Sequence, residues 1–248
     1  MAQKKGKIIT FSSVKGGVGK TTFLLAMAGL YANKKNKVLI IDMDLFSGDI
    51  EAILNGDSKK DLYTLFEDMT NNNFYDLDSY ITNYNEHIDF IASPKDPRYA
   101  NQINASFINL LFSRVSSRYD VVLVDTNHFL NEITLVTFDN SNEIVYVINN
   151  NSMNLKNMRT MISIFTDMKL NKYKIILYDA RDKNKNVFKN FDIRNIIKDN
   201  IDYIIPNDFY MKDIDKYIID NKLLQVTTKI INKKNSRLFD KIAKDLIK

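Results

Sequence analysis

At 248 residues, 45% hydrophobic and 26% charged, the chain has room for one large α/β domain or two small ones, with the proportions of an ordinary soluble protein. No cysteine and only His87 and His128 are present, which excludes disulfides, thiolate metal sites and histidine-rich metal centres. The net charge of +5 permits contact with DNA or anionic lipid without requiring it, because the basic residues interleave with Asp and Glu.

The basic N-terminus, Met1 to Lys7, runs straight into Ile8-Ile9-Thr10-Phe11 rather than into a signal-peptide apolar core, and no apolar run is long enough for a transmembrane helix. A cytoplasmic protein is the expectation. In chain order, buried strands are predicted at Ile8–Phe11, Val38–Ile41, Val121–Val124, Ile144–Ile148 and Lys174–Leu177, with weaker candidates at Ile88–Ile91 and Tyr203–Ile205. Helix-length segments lie at Thr21–Asn33, Asn101–Ser116, Asn154–Lys169 and Asp208–Asp220. A short helix is expected to start near Leu62, inside the least regular stretch, Asn55–His87. Near-continuous apolar strands alternating with helices predict a doubly wound α/β fold: a mostly parallel β-sheet with helices on both faces. No Gly/Pro/Ser-rich linker or internal repeat divides the chain, so residues 1–248 read as a single domain.

Four of the seven glycines, Gly6, Gly16, Gly17 and Gly19, fall within the first twenty residues. After the first strand comes Val14-Lys15-Gly16-Gly17-Val18-Gly19-Lys20-Thr21-Thr22, and then a helix. A glycine turn between strand and helix aims backbone amides inward as a nest for phosphate oxygens, and the helix N-terminus adds partial positive charge. Lys20 is placed to reach the β- and γ-phosphates, Thr21 suits a Mg²⁺ ligand, and Thr22 can donate to the α-phosphate. The plainer account is a turn that merely joins strand to helix, and it is disfavoured by the Gly-Lys-Thr-Thr sequence after a buried strand.

Asp42 and Asp44 follow the second strand two residues apart, so in an extended chain both point to one side, at the ligand edge of a parallel sheet. Capping or solvating a strand end is the competing account. Val121-Val122-Leu123-Val124-Asp125 is four apolar residues and then Asp, a Walker B arrangement in which Asp125 holds a Mg²⁺-bound water.

The strict G-x-x-x-x-G-K-[ST] pattern fails, because its first glycine would fall at Val14. The run Lys15-Gly16-Gly17-Val18-Gly19-Lys20-Thr21 instead resembles the deviant Walker A motif of the ParA/MinD family of P-loop ATPases. The resemblance implies ATP and Mg²⁺ as ligands and a homodimer when ATP is bound, with Lys15 reaching the partner's nucleotide. It also implies that Asp44 orients the attacking water and Asp42 supports the Mg²⁺ shell. Val38–Asp49, Ile91–Pro97 and Asp125–Glu132 look most like the CpaE/TadZ branch. That likeness implies a switch that positions a pilus or secretion apparatus, recruited to a cell pole or membrane apparatus through an unidentified protein partner. The alternatives are a partition ATPase riding on nucleoid DNA, and a nucleotide-dependent scaffold with little hydrolysis.

Two departures stand out. Asn127-His128-Phe129 replaces the Pro and Gly that the family carries after its Walker B Asp-Thr, in the region that senses the γ-phosphate. Tyr178-Asp179-Ala180-Arg181 stands where relatives place an Asn-Arg pair that reads the base; Asp179 can accept the adenine amino group's hydrogen bond but cannot donate. Pro206 and Asn207 complete a base pocket by resemblance, with a plain strand-to-helix turn as the equal alternative.

The C-terminal Ser236–Lys248 sets Leu238, Phe239, Ile242, Ala243, Leu246 and Ile247 on one helical face. Core packing is favoured over a membrane surface, because Asp240 and Asp245 interrupt the basic face. Lys229, Lys233, Lys234 and Arg237 offer non-specific phosphate contacts to DNA, but a solvated linker is the simpler account.

Overall fold

The computed structural model describes residues 5–178, 188–206, 214–220, 224, 229 and 235–248. In chain order the elements are β1 (Lys7–Ser13), α1 (Lys20–Asn33), β2 (Val38–Met43), α2 (Ile50–Ile53), α3 (Leu62–Thr70), β3 (Thr82–Asn83), β4 (Ile88–Ile91), α4 (Ala105–Val115) and β5 (Val121–Thr126). There follow α5 (Glu132–Asn140), β6 (Glu143–Asn149), α6 (Ser152–Asp167), β7 (Tyr173–Tyr178), α7 (Asn190–Ile197), β8 (Tyr203–Ile205), α8 (Ile214–Ile219) and α9 (Ser236–Leu246). Every strand predicted from a β-branched run is present. The two-residue β3, the short α2, α5 and α7 lie outside the strand and helix segments named above. The helix expected over Asn101–Ser116 begins later, at Ala105, after a 3₁₀ turn over Pro97–Gln102.

The strands form one sheet in the order β3-β4-β2-β5-β1-β6-β7-β8. All pairings are parallel except β3 with β4. Side chains alternate between faces as the period of two requires. Val38, Ile40, Leu123, Val145, Val147 and Ile176 pack with α1 and α9 on one face. Leu39, Ile41, Val122 and Val124 meet α3 and α4 on the other, where Tyr146, Ile148 and Leu177 meet α6 and α7. Both faces are covered, so the central strands β2 and β5 carry no polar side chain before Asp42 and Asp125.

Helix α1 is buried from Phe23 to Ala32 without a break, because it is enclosed by the sheet and by α9. The apolar stripe of α9 (Phe239, Ile242, Ala243 and Leu246) is buried in that core. Tyr31 Oη donates to the Ala243 carbonyl at 2.8 Å, and Lys34 pairs with Asp240 at 2.6 Å. The face a membrane would need is therefore taken by α1. No helix among the described residues is long and apolar enough to cross a membrane.

Asp61, Asn104, Asn131 and Asn151 cap α3, α4, α5 and α6, each side chain accepting a first-turn amide. Helix α1 has no side-chain cap; it follows Gly19, which sits at φ 93°. Its first-turn amides receive no side-chain acceptor from the cap residue, as is also the case at α2 and α9.

Candidate phosphate and metal site

Strand β1 lies between β5 and β6, so successive connections leave it in opposite directions and open a crevice at its C-terminal end. The loop of residues 14–19 fills that position. Gly17 (φ 74°) and Gly19 take left-handed backbone, which a side chain would strain. Lys15, Gly16 and Gly17 are exposed, Val18 is buried, and Gly19 to Thr22 are half-buried. Ser13 Oγ donates to the Lys15 carbonyl at 2.9 Å, which fixes the loop's first turn.

Lys20, Thr21 and Asp125 meet. Lys20 Nζ pairs with Asp125 Oδ1, and Thr21 Oγ1 donates to Asp125 Oδ2 at 2.7 Å. Both side chains of the ion pair are largely sequestered, at 11% and 4% exposure. Asp125 is the register partner of Asp42 across β2 and β5. Asp42 Oδ1 accepts the Asp44 amide and Oδ2 accepts the Ile50 amide, both at 3.1 Å. Asp44 lies one residue past the paired strand. The strand ends at Met43, and Asp44 opens a turn in which Ser47 Oγ donates to its Oδ1 at 3.2 Å.

Two buried carboxylates face one ammonium. Burial, then the Asp125 charge, pushes the Asp42 carboxyl up to about 8 against its two amide bonds and Lys20. Burial likewise pushes Asp125 up, while Lys20 and Thr21 hold it down. Unfolded, Asp42 ionises near 3.8. Between these values the folded protein keeps a proton that the unfolded chain has lost, so stability falls as pH rises through the window, by at most about 1.4 kcal/mol per pH unit. Chemical denaturation in chelator at about pH 5 and about pH 8 should give the lower midpoint at the higher pH, and equal midpoints would refute the shift.

The donor set is hard oxygen: the Thr21 hydroxyl and the Asp125 and Asp42 carboxylates. Mg²⁺ fits, since it takes one or two carboxylates and completes its shell with water and phosphate oxygens. No cluster of three or more acidic or histidine ligands occurs among the described residues, so an all-protein cage for another metal is not offered there.

Gly48 was not singled out by sequence reasoning. A Cβ there would lie 2.0 Å from Ser93 Oγ and 2.5 Å from Asp42 Oδ2, so glycine lets the loop after β2 close over the carboxylate and deliver the Ile50 amide. Scarcity of glycine along this chain was the available signal. Beyond β5, Asn127 is buried and its Oδ1 accepts the Phe129 amide at 3.0 Å. Thr134 Oγ1 donates to the Phe129 carbonyl at 3.0 Å. His128 is exposed, its ring 4.1 Å from that of Phe129. Of the base-pocket residues, Pro206 follows β8 and is half-buried, while Asp179 and Asn207 lie outside the described residues.

This arrangement, a parallel sheet with a glycine phosphate loop after its central strand and a buried Asp on the adjacent strand, is that of a P-loop NTPase. An AAA domain family model matches residues 6–177, and the chain belongs to that family. Over 144 residues it is 26% identical to the septum site-determining protein MinD of Buchnera aphidicola, a stretch covering 58% of this chain and 53% of that protein. It is 40% identical over 62 residues to an ATP-binding protein of Methanocaldococcus jannaschii, covering 25% of this chain and 24% of that one. The matched stretches thus span about half or less of these curated relatives.

The fold is that of the ParA and MinD ATPases. A ParA family ATPase from Chlorobium tepidum superposes with a TM-score of 0.78 at 19% identity, covering 99% of both chains. MinD from Pyrococcus horikoshii, solved with Mg-ADP, gives 0.74 at 20% identity over 98% of this chain and 96% of that one. A putative plasmid partition protein from Borrelia burgdorferi bound to AMPPNP gives 0.68 at 22% identity, over 92% and 98%.

Proposed function

We propose that residues 1–248 act as one cytoplasmic ATPase unit, a switch that binds ATP with Mg²⁺ and dimerises in that state. The observation that carries the reading is the contrast between two lysines. Lys20 points inward to Asp125, whereas Lys15, five residues earlier, is exposed at the rim and has no ion pair among the described residues. A rim cation beside a phosphate nest serves a ligand held partly by another molecule. Exposed Phe46 and Phe129–Leu130 on the loops after β2 and β5, and Met153 in the first turn of α6 after β6, follow the C-terminal ends of strands in the same parallel sheet as β1, which supports a buried contact around Lys15.

In this reading the amides of Gly16 to Thr22 cradle the phosphates, and Lys20 swings from Asp125 to the β- and γ-phosphates. Thr21 and Asp125 hold Mg²⁺, with Asp42 behind them. Bound there, the ion neutralises phosphate charge. Asp44, at the turn beyond β2, orients water for γ-phosphate attack, and Asp179, Pro206 and Asn207 receive the base. The dimer presents a composite surface to a protein partner, and slow hydrolysis dissolves it. Positioning of a pilus or secretion apparatus, in the manner of the CpaE/TadZ branch, is the favoured role. The likeness to a ParA family ATPase and a plasmid partition protein keeps nucleoid partition as the second reading.

For Lys15→Ala the expected outcome is unchanged folding and retained ATP binding with loss of ATP-dependent dimer. Light scattering that still reports a dimer with ATP would remove Lys15 from this role. Phosphate release distinguishes an ATPase from a non-hydrolysing scaffold, and an ATP-dependent DNA shift selects partition.

A further inference from the structure

Strand β7 ends at Tyr178, whose ring is the nearest group facing the Cβ side of Gly19. A Cβ built on Gly19 would have Tyr178 Cε1 at 3.7 Å, Cζ at 3.8 Å and Cδ1 at 3.9 Å, and these are its three nearest heavy atoms. The same ring meets Phe23 of α1 edge-on, with centroids 6.1 Å apart and planes at 83°. Phe23 is held in turn by Phe11 of β1 at 5.9 Å and by Phe239 of α9 at 6.0 Å. Tyr178 is thus backed by a rigid aromatic column and faces the residue at which the loop becomes helix.

Gly19 sits at φ 93°, where glycine is at home but is equally at ease elsewhere. A loop with glycine at 16, 17 and 19 cannot order itself through its own side chains. The Ser13 bond fixes only the loop's first turn, and at Gly19 the facing neighbour is Tyr178. The conformation matters because the amides that follow Gly19 begin the uncapped N-terminus of α1.

We propose that Tyr178 is a positioning residue for phosphate binding, its ring holding Gly19 in the left-handed conformation that aims the loop amides at the ligand. This rests on the reading of residues 15–22 as a phosphate site. Ring carbons bound the space beside Gly19, so Tyr178→Phe should preserve that boundary and Tyr178→Leu should not. The effect should also be independent of the base, although Tyr178 directly precedes the residue placed in the base pocket.

The test is calorimetric titration of the full chain with Mg·ATP and with Mg·tripolyphosphate, which has phosphates and no base. Tyr178→Phe should bind both within about twofold of the parent, and Tyr178→Leu should bind both about tenfold more weakly, the scale of ordering one backbone residue. Equal loss for the two ligands supports the assignment. Loss confined to ATP places Tyr178 with the base and overturns it, as does unchanged affinity in Tyr178→Leu. A merely structural role would lower the melting temperature and leave affinities of the folded protein untouched. Should Tyr178→Leu not fold, Tyr178→Met fills similar volume without a ring face and is read the same way. If the parent chain binds neither ligand, the phosphate-site reading fails too, an outcome distinct from parent binding with no effect at Tyr178.

Discussion

Lys20→Ala should abolish detectable ATP binding and also destabilise the ligand-free protein by about 3 kcal/mol near neutral pH, because it strands a buried Asp125 beside Asp42. The ion pair and the register pairing of the two aspartates make the argument. Removing the cation leaves two sequestered carboxyls without compensation, and burial already pushes both upward. The cost should shrink in acid, where a protonated Asp125 no longer needs Lys20. Asp125→Asn in the same chain should restore most of the stability while leaving binding absent. Urea melts of both variants, with fluorescent nucleotide titration, check this. A Lys20→Ala protein as stable as its parent would show the pair to be energetically idle.

Phe239→Ala should cost about 3–5 kcal/mol, the range for deleting a fully buried aromatic side chain. Phe239 is 0% exposed and packs on Phe23, so its loss opens a cavity between α9 and α1. For a chain of this size the melting temperature should fall by roughly 10 °C. Arg237→Ala, on the exposed side of α9, should change stability by less than about 0.5 kcal/mol. Were α9 instead a membrane-surface helix, Phe239→Ala would leave the melting curve in place and reduce recovery with anionic liposomes. A scanning calorimetry trace decides between them.

Much of this architecture can be read from local residue patterns. The β-branched runs locate the strands because both faces of a parallel sheet are buried, and Gly-Lys-Thr-Thr after the first run locates the loop. Elements whose burial does not follow apolar identity are harder. Helix α5 buries Thr134 and Thr137 beside Phe138, so apolar periodicity barely registers there. Helix α7 has only Ile193 and Ile197 buried. Strand β3 is two residues of edge pairing set by its neighbour Asp89, whose carboxylate takes the Asn83 amide. At the site, the order Lys20, Asp42, Asp125 is visible in sequence, but the contacts among them span up to 105 residues. No local pattern indicates that Ile50 and Gly48 close over Asp42, that Asp44 falls past the strand end, or that Tyr178 reaches Gly19.

The central place of β1 has a consequence for biosynthesis. Its neighbours are β5, beginning at Val121, and β6, beginning at Glu143. During translation at about 5–20 residues per second, the first strand and the apolar Phe23–Ala32 stretch of α1 therefore wait several seconds for partners. Until then Phe23 to Ala32 is an apolar nascent segment that lacks the sheet which will cover it. The loop of residues 14–19, which precedes both partners of β1 in the sequence, is among the last parts to be packed in place.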